Sequence, residues 1–155
     1  MTTATRRPGM PRIPRADYPA VRTTLANGLR VVLAPEAGSG VVGIAVHVDV
    51  GFRSEPPGRT GFAHLFEHLM FQGSESLAKL EHFRVVQSSG GTFNGSTHFD
   101  YTEYHELLPA GALERGLFLE ADRLRAPALT AGNLANQVDV VSEEIRLNVL
   151  GRPYG

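Results

Sequence analysis

The sequence contains no cysteine in its 155 residues. No disulfide can staple such a chain, and no thiol reports on its redox compartment. Any metal site has to be assembled from His, Asp and Glu. Long apolar runs are missing too: none approaches the roughly 20 residues that a membrane-spanning helix requires. Neither sign of charge dominates, since 15 Lys and Arg stand against 16 Asp and Glu, a net charge of −1. That balance removes the electrostatic grounds for expecting a nucleic-acid or acidic-membrane partner. There are no internal repeats and no low-complexity tract. What is present, 42% hydrophobic and 20% charged residues, fits one globular domain with a real core.

The first 22 residues, MTTATRRPGMPRIPRADYPAVR, are rich in Arg and Pro and carry a single acid, Asp17. They lack the apolar segment of a secretory signal. Pro8, Pro11 and Pro14 argue against an amphipathic transit helix. The expectation is a flexible leader over 1–22, a folded domain over 23–155 and a cytoplasmic location.

From residue 23 the elements alternate. Asn27-Gly28 between two apolar-rich runs predicts a β-hairpin. The alternation of Val46, Val48 and Val50 with Ala45, His47 and Asp49 predicts a strand over 41–50. Pro and Gly make 51–61 a loop. A helix is expected from Gly61 to about Gln72, stopped at Gly73, and a second from Leu77 to about Ser88, ended by Ser89-Gly90-Gly91. A short polar strand, TFNGST, and a β-prone stretch, Tyr101 to Leu108, follow. Pro109 should open a third helix with Leu113, Leu117, Ala121 and Leu124 on its apolar side. Thr130 should cap a fourth, running to about Leu150 with a stripe of Leu134, Val138, Val141 and Ile145. This order predicts an α+β domain: a mostly antiparallel sheet with helices packed on one face.

The informative stretch is Ala63-His64-Leu65-Phe66-Glu67-His68-Leu69-Met70. At about 100° per residue, His64, Glu67 and His68 share one sector of a helix that is otherwise apolar. Two imidazoles on adjacent turns can chelate one Zn²⁺, and a carboxylate beside them can take a proton from water. The pattern is HxxEH, the inverted form of HExxH and the inverzincin signature. A catalytic zinc wants a third protein ligand. On the fourth helix Glu143 points away from the apolar stripe, whereas Glu144 lies on its flank, aligned with Gln137 one heptad earlier. A carboxylate at a core edge is costly unless paired or coordinated, which singles out Glu144. A metal-free, hydrogen-bonded core cluster of His64, Glu67 and His68 is the alternative. His47, His82, His98 and His105 read as ordinary polar residues rather than ligands.

These segments resemble the insulinase, pitrilysin and mitochondrial processing peptidase family of zinc metallopeptidases. The resemblance runs from about Thr23 to Gly155. It rests on Leu25 to Leu29, Gly51 to Glu55, His64 to Gly73, Gly91 to Thr97, Val140 to Ile145 and Pro153-Tyr154-Gly155. Glu144 stands 76 residues after His68, the interval the resemblance implies for the distal glutamate ligand. The resemblance implies one zinc held by His64, His68 and Glu144, with Glu67 as general base. It also implies that a peptide substrate pairs as an added strand at Asn94 and Gly95. It departs in two respects. Gln137 stands where relatives often carry a glutamate, which would alter ligand orientation. Moreover, such peptidases close a chamber with a second homologous domain or subunit. A zinc endopeptidase module is therefore the expectation, and a non-catalytic peptide-binding or scaffold subunit is the alternative.

Overall fold

The computed structural model describes residues 19–151. Most of the expected leader and the Pro153-Tyr154-Gly155 motif lie outside them. Val21 and Arg22, assigned to the leader by composition, are the first residues of a strand. The described chain divides into two units, one up to Gly38 and the other from Ser39.

The first unit holds the hairpin: β1 (Val21–Thr24) pairs antiparallel with β2 (Arg30–Leu33), Val21 opposite Leu33. At its tip Gly28 N–H bonds to the Leu25 carbonyl and Leu25 N–H to the Leu29 carbonyl. Gly28 has φ 88°, and Asn27 does not share the positive φ. The connection is thus a three-residue loop ending in a left-handed glycine rather than a two-residue turn.

The second unit is built on a three-stranded antiparallel sheet in the order β3 (Val41–Val48), β5 (Thr102–Pro109), β4 (Thr92–Thr97). Its register sets Ile44 opposite Glu106, Val46 opposite Tyr104, and Gly95 opposite Tyr104 on the other side. Alternation decides the faces. Val42, Ile44, Val46, Tyr104, Glu106 and Leu108 point to the covered face, while His47, His105 and Leu107 point away from it. All four α-helices among the described residues belong to this unit: α1 (Phe62–Leu69), α2 (Glu81–Ser88), α3 (Leu113–Arg125) and α4 (Ala131–Ile145). Two small apolar clusters anchor them, Val86–Leu108–Leu119 under α2 and α3 and Leu65–Leu69–Val141 between α1 and α4. The expected α+β class, antiparallel sheet and one-sided helices are all present.

Several boundaries and faces differ from expectation. Strand β3 stops at Val48, two residues early. Helix α1 ends at Leu69, because Phe71 and Gln72 turn back onto the His68 and Leu69 carbonyls in a tighter i→i+3 pattern. Helix α2 begins only at Glu81: Leu80 adopts φ 66°, and the preceding segment is a turn whose Leu77 carbonyl receives Ser74 N–H. Pro109 ends β5 rather than opening a helix; one 3-10 turn, Ala110–Ala112, intervenes. On α3 the expected apolar side is outward, since Leu113, Leu117, Ala121 and Leu124 are exposed while Gly116, Leu119, Glu120 and Arg123 are buried. On α4 only Val141 of the expected stripe is buried, at 5% exposure, against 44% for Leu134 and 43% for Val138. The inward ridge is Asn133, Gln137, Val141 and Glu144. Both helices bury polar groups that have specific partners, so hydrophobic phase alone selects the wrong side. Thr130 does cap α4, its hydroxyl accepting Asn133 N–H at 3.1 Å, and the helix passes into a single wider π turn over Arg146–Leu150.

Candidate metal centre and catalytic face

Helix α1 presents the central residues. Gly61 lacks a side chain to cap the helix, so Glu55, from the preceding loop, performs that task. Its carboxylate accepts Gly61 N–H at 2.9 Å and Ala63 N–H at 2.8 Å, placing negative charge at the positive end of the helix dipole. One face of α1 packs Leu65 and Leu69 against Val141 of α4. Facing α4 as well are His64 and His68, half-buried, with their Nε2 atoms 3.2 Å apart. Glu144 Oε2 lies 3.8 Å from His64 Nε2 and 3.3 Å from His68 Nε2. The structure thus brings together the three residues that sequence singles out, from two helices.

Those separations carry chemical information. Donors on a tetrahedral metal with arms of about 2.1 Å stand about 3.4 Å apart, and the three spacings here bracket that value. Two imidazole nitrogens and a carboxylate oxygen are also the donor set that zinc accepts with one position left open. The residues present therefore fit the metal. Gln137 completes the set from behind: its Oε1 lies 3.2 Å from His68 Nδ1, and Asn136 Oδ1 accepts from its Nε2 at 2.8 Å. The amide so oriented suits a ring that donates from Nδ1, the tautomer in which Nε2 turns a lone pair toward Glu144 and His64.

Glu67 projects from α1 toward the sheet and is largely buried. Thr97 Oγ1 donates to its Oε2, while the other oxygen lies against Gly95. A Cβ on Gly95 would stand 3.3 Å from Glu67 Oε1, 3.2 Å from its Cγ and 3.0 Å from Phe71 Cε2, so a side chain there would crowd that oxygen. Gly95 and Thr97 share one face of β4, two residues apart, and Asn94 lies on the other, exposed. Asn94 Oδ1 accepts the Gly95 backbone N–H at 3.0 Å. Among the described residues β4 is an edge strand. Beside the centre, on the α4 side, Phe52, Thr60, Gly61, His64, Glu144, Ile145 and Asn148 line an open, mainly apolar cavity of about 310 Å³.

Sequence reasoning missed Glu55, Thr97 and the direction of His82. Period-two alternation from Gly95 points to Thr97, but nothing local in the sequence pairs it with Glu67. His82 is not a surface residue; it is 3% exposed and bonded to Glu106. His98 and His105 are peripheral, with Ser96 and Glu103 as partners.

The family model described as "Insulinase (Peptidase family M16)" matches residues 30–149. The chain is 36% identical over 133 residues to the zinc protease PqqE of Helicobacter pylori, which spans 85% of this chain and 30% of that protein. It is 31% identical over 134 residues to the insulin-degrading enzyme of Drosophila melanogaster, covering 86% of this chain and 13% of that one. The crystal structure of a protease from Helicobacter pylori matches with a TM-score of 0.85 at 34% identity, over 88% of this chain and 33% of its own. The chain belongs to the insulinase family of peptidases. It spans a third or less of the length of these relatives. Among the described residues no helix is long and apolar enough to cross a membrane.

Proposed function

We propose that the chain is a zinc endopeptidase module acting on extended peptides. The observation that carries the reading is the convergence of His64, His68 and Glu144 at tetrahedral spacing beside a carboxylate with one free oxygen. His64 Nε2, His68 Nε2 and Glu144 Oε2 are the ligands, and Gln137 orients His68. When bound, zinc supplies Lewis-acid polarisation of the scissile carbonyl and acidifies the attacking water. Glu67 is the general base. Thr97 holds Oε2, so the water proton goes to Oε1, the oxygen facing Gly95. The edge of β4 at Asn94 and Gly95 takes the substrate backbone as an added strand. The Asn94 amide covers the Gly95 N–H in its absence and swings aside on binding. The partner is a second homologous domain or subunit. The outward side chains Phe62, Phe66, Leu117 and Phe118 and the chain's share of its relatives' length support that part of the reading.

Metal analysis of the purified chain should give one zinc, lost in His64→Ala and retained in Glu67→Gln. Hydrolysis of a quenched peptide, with the homologous half supplied where required, should fall at least about a hundredfold in Glu67→Gln. Undiminished hydrolysis by that variant would overturn the mechanism. Peptide binding without turnover by the intact sequence would favour the scaffold reading instead.

A further inference from the structure

Behind the catalytic face lies a second cluster that the peptidase reading does not use. His82 of α2, Glu106 of β5, and Glu120 and Arg123 of α3 meet in the interior, each 4% exposed or less. His82 Nε2 sits 2.7 Å from Glu106 Oε1. Arg123 grips Glu120 through Nε at 3.0 Å and Nη2 at 2.5 and 2.7 Å. Its guanidinium also lies 4.9 Å from the Phe71 ring centre and 4.5 Å from that of Tyr104. Donor atoms of His82, Glu106 and Glu120 all fall within 4.8 Å of one another.

Charge counting exposes a difficulty in this arrangement. With both acids ionised and His82 neutral, the cluster buries one uncompensated negative charge, and buried charges are costly unless paired. Glu120 is matched by Arg123, so the excess falls on the Glu106 side. Glu106 Oε2 is buried without a hydrogen-bond partner and is hemmed in by Gly116, whose added Cβ would lie 3.2 Å away. A metal ion does not resolve this, because the guanidinium already engages both oxygens of Glu120. A proton does. Placed between the two carboxyls, it turns the orphan oxygen into a partner of Glu120, leaves His82 Nε2–H donating to Glu106, and brings the net charge to zero.

We infer that Glu106 and Glu120 share one proton in the native state at neutral pH, forming a buried acid pair locked between His82 and Arg123. The charged and titratable groups around it are His82 from α2, Tyr104 from β5, Arg123 from α3 and, beyond Tyr104, Glu67 from α1. Burial pushes the Glu120 carboxyl up, with Arg123 opposing it. A pair that holds a proton above the unfolded titration range stabilises the fold at low pH and loses that contribution as pH rises toward its own titration. The protein is therefore alkali-sensitive through this cluster.

Glu106→Gln is the decisive variant, because an amide imitates the protonated acid: its NH₂ donates to Glu120 and its oxygen accepts from His82. Denaturant unfolding of the chain between about pH 5 and pH 8 should show the folding constant of Glu106→Gln rising about tenfold per pH unit relative to the parent. A ratio that stays flat over that range overturns the inference. Should the variant fail to fold, infrared spectra of the parent labelled at glutamate decide alone: a protonated carboxylic band at neutral pH supports the shared proton, and its absence refutes it. Nitrogen NMR showing His82 as an imidazolium would place the proton on the ring and refute the assignment equally.

Discussion

Gln137 occupies the heptad position before Glu144, and its amide oxygen stands 3.2 Å from His68 Nδ1, placed to accept from it. An amide fixes the imidazole tautomer but adds no negative charge, so the ring is oriented without being made more basic. Replacing it with glutamate should tighten zinc retention about tenfold, and replacing it with leucine should loosen it by a similar factor, as read by competition with a chelator. Identical retention in all three would remove Gln137 from the centre. At this scale the sequence is uneven in what it discloses. His64, Glu67 and His68 declare themselves by lying four or fewer residues apart on one turn of helix. Glu144 is separable from Glu143 by phase, and its placement is more inward than the flank position that phase suggests. Thr97 is invisible locally. Its importance comes from the packing of β4 against α1, a contact between residues 30 apart in the chain.

Helix α1 is short, and it has to hold His64, Glu67 and His68 in fixed register. Its stiffness begins outside it, at Glu55, whose two oxygens take the amides of Gly61 and Ala63 at the helix start. Charged hydrogen bonds of this kind contribute about 1.5–3 kcal/mol each, and at a half-buried site water replaces part of that when they are lost. Glu55→Ala should therefore lower unfolding free energy by about 2 kcal/mol, measured by denaturant titration of the metal-free chain. A loss within error of zero would mean that the loop, not its carboxylate, sets the start of α1. Elements were legible wherever one physical signal governed them. Strict alternation gave β3, Asn-Gly gave the hairpin, and Thr130 gave the start of α4. The faces of α3 and α4 were not legible, because each turns inward a polar set with partners elsewhere: Glu120 and Arg123 on α3, Asn133, Gln137 and Glu144 on α4. The hydrophobic residues displaced by those sets stand outward, which is the reverse of what amphipathic reasoning assumes.

Taken whole, the second unit joins α1 to α4 with little apolar material. Leu65, Leu69 and Val141 are the buried residues of that cluster, while Phe62, Phe66, Leu134 and Val138 around it are exposed. Two short contacts between polar groups, from His64 and His68 to Glu144, span the same seam, and the third, His64 to His68, lies within α1. A ligand that binds the native state and not the unfolded chain stabilises it by RT ln(1 + [L]/Kd), about 4 kcal/mol at a thousandfold excess over Kd. For a seam resting on three buried side chains, a metal shared between the helices is then comparable to the apolar packing itself. Chelator should accordingly lower the unfolding midpoint of the chain and restore zinc-dependent stability on readdition. The response should vanish in Glu144→Gln, which keeps the shape of the α4 side chain and removes its charge. Hydrogen exchange should localise the change to α1 and α4 and leave the β3–β5–β4 amides protected. An unfolding midpoint indifferent to chelator in a chain shown to bind zinc would mean that the two helices are held by packing alone, and that the metal contributes chemistry without structure.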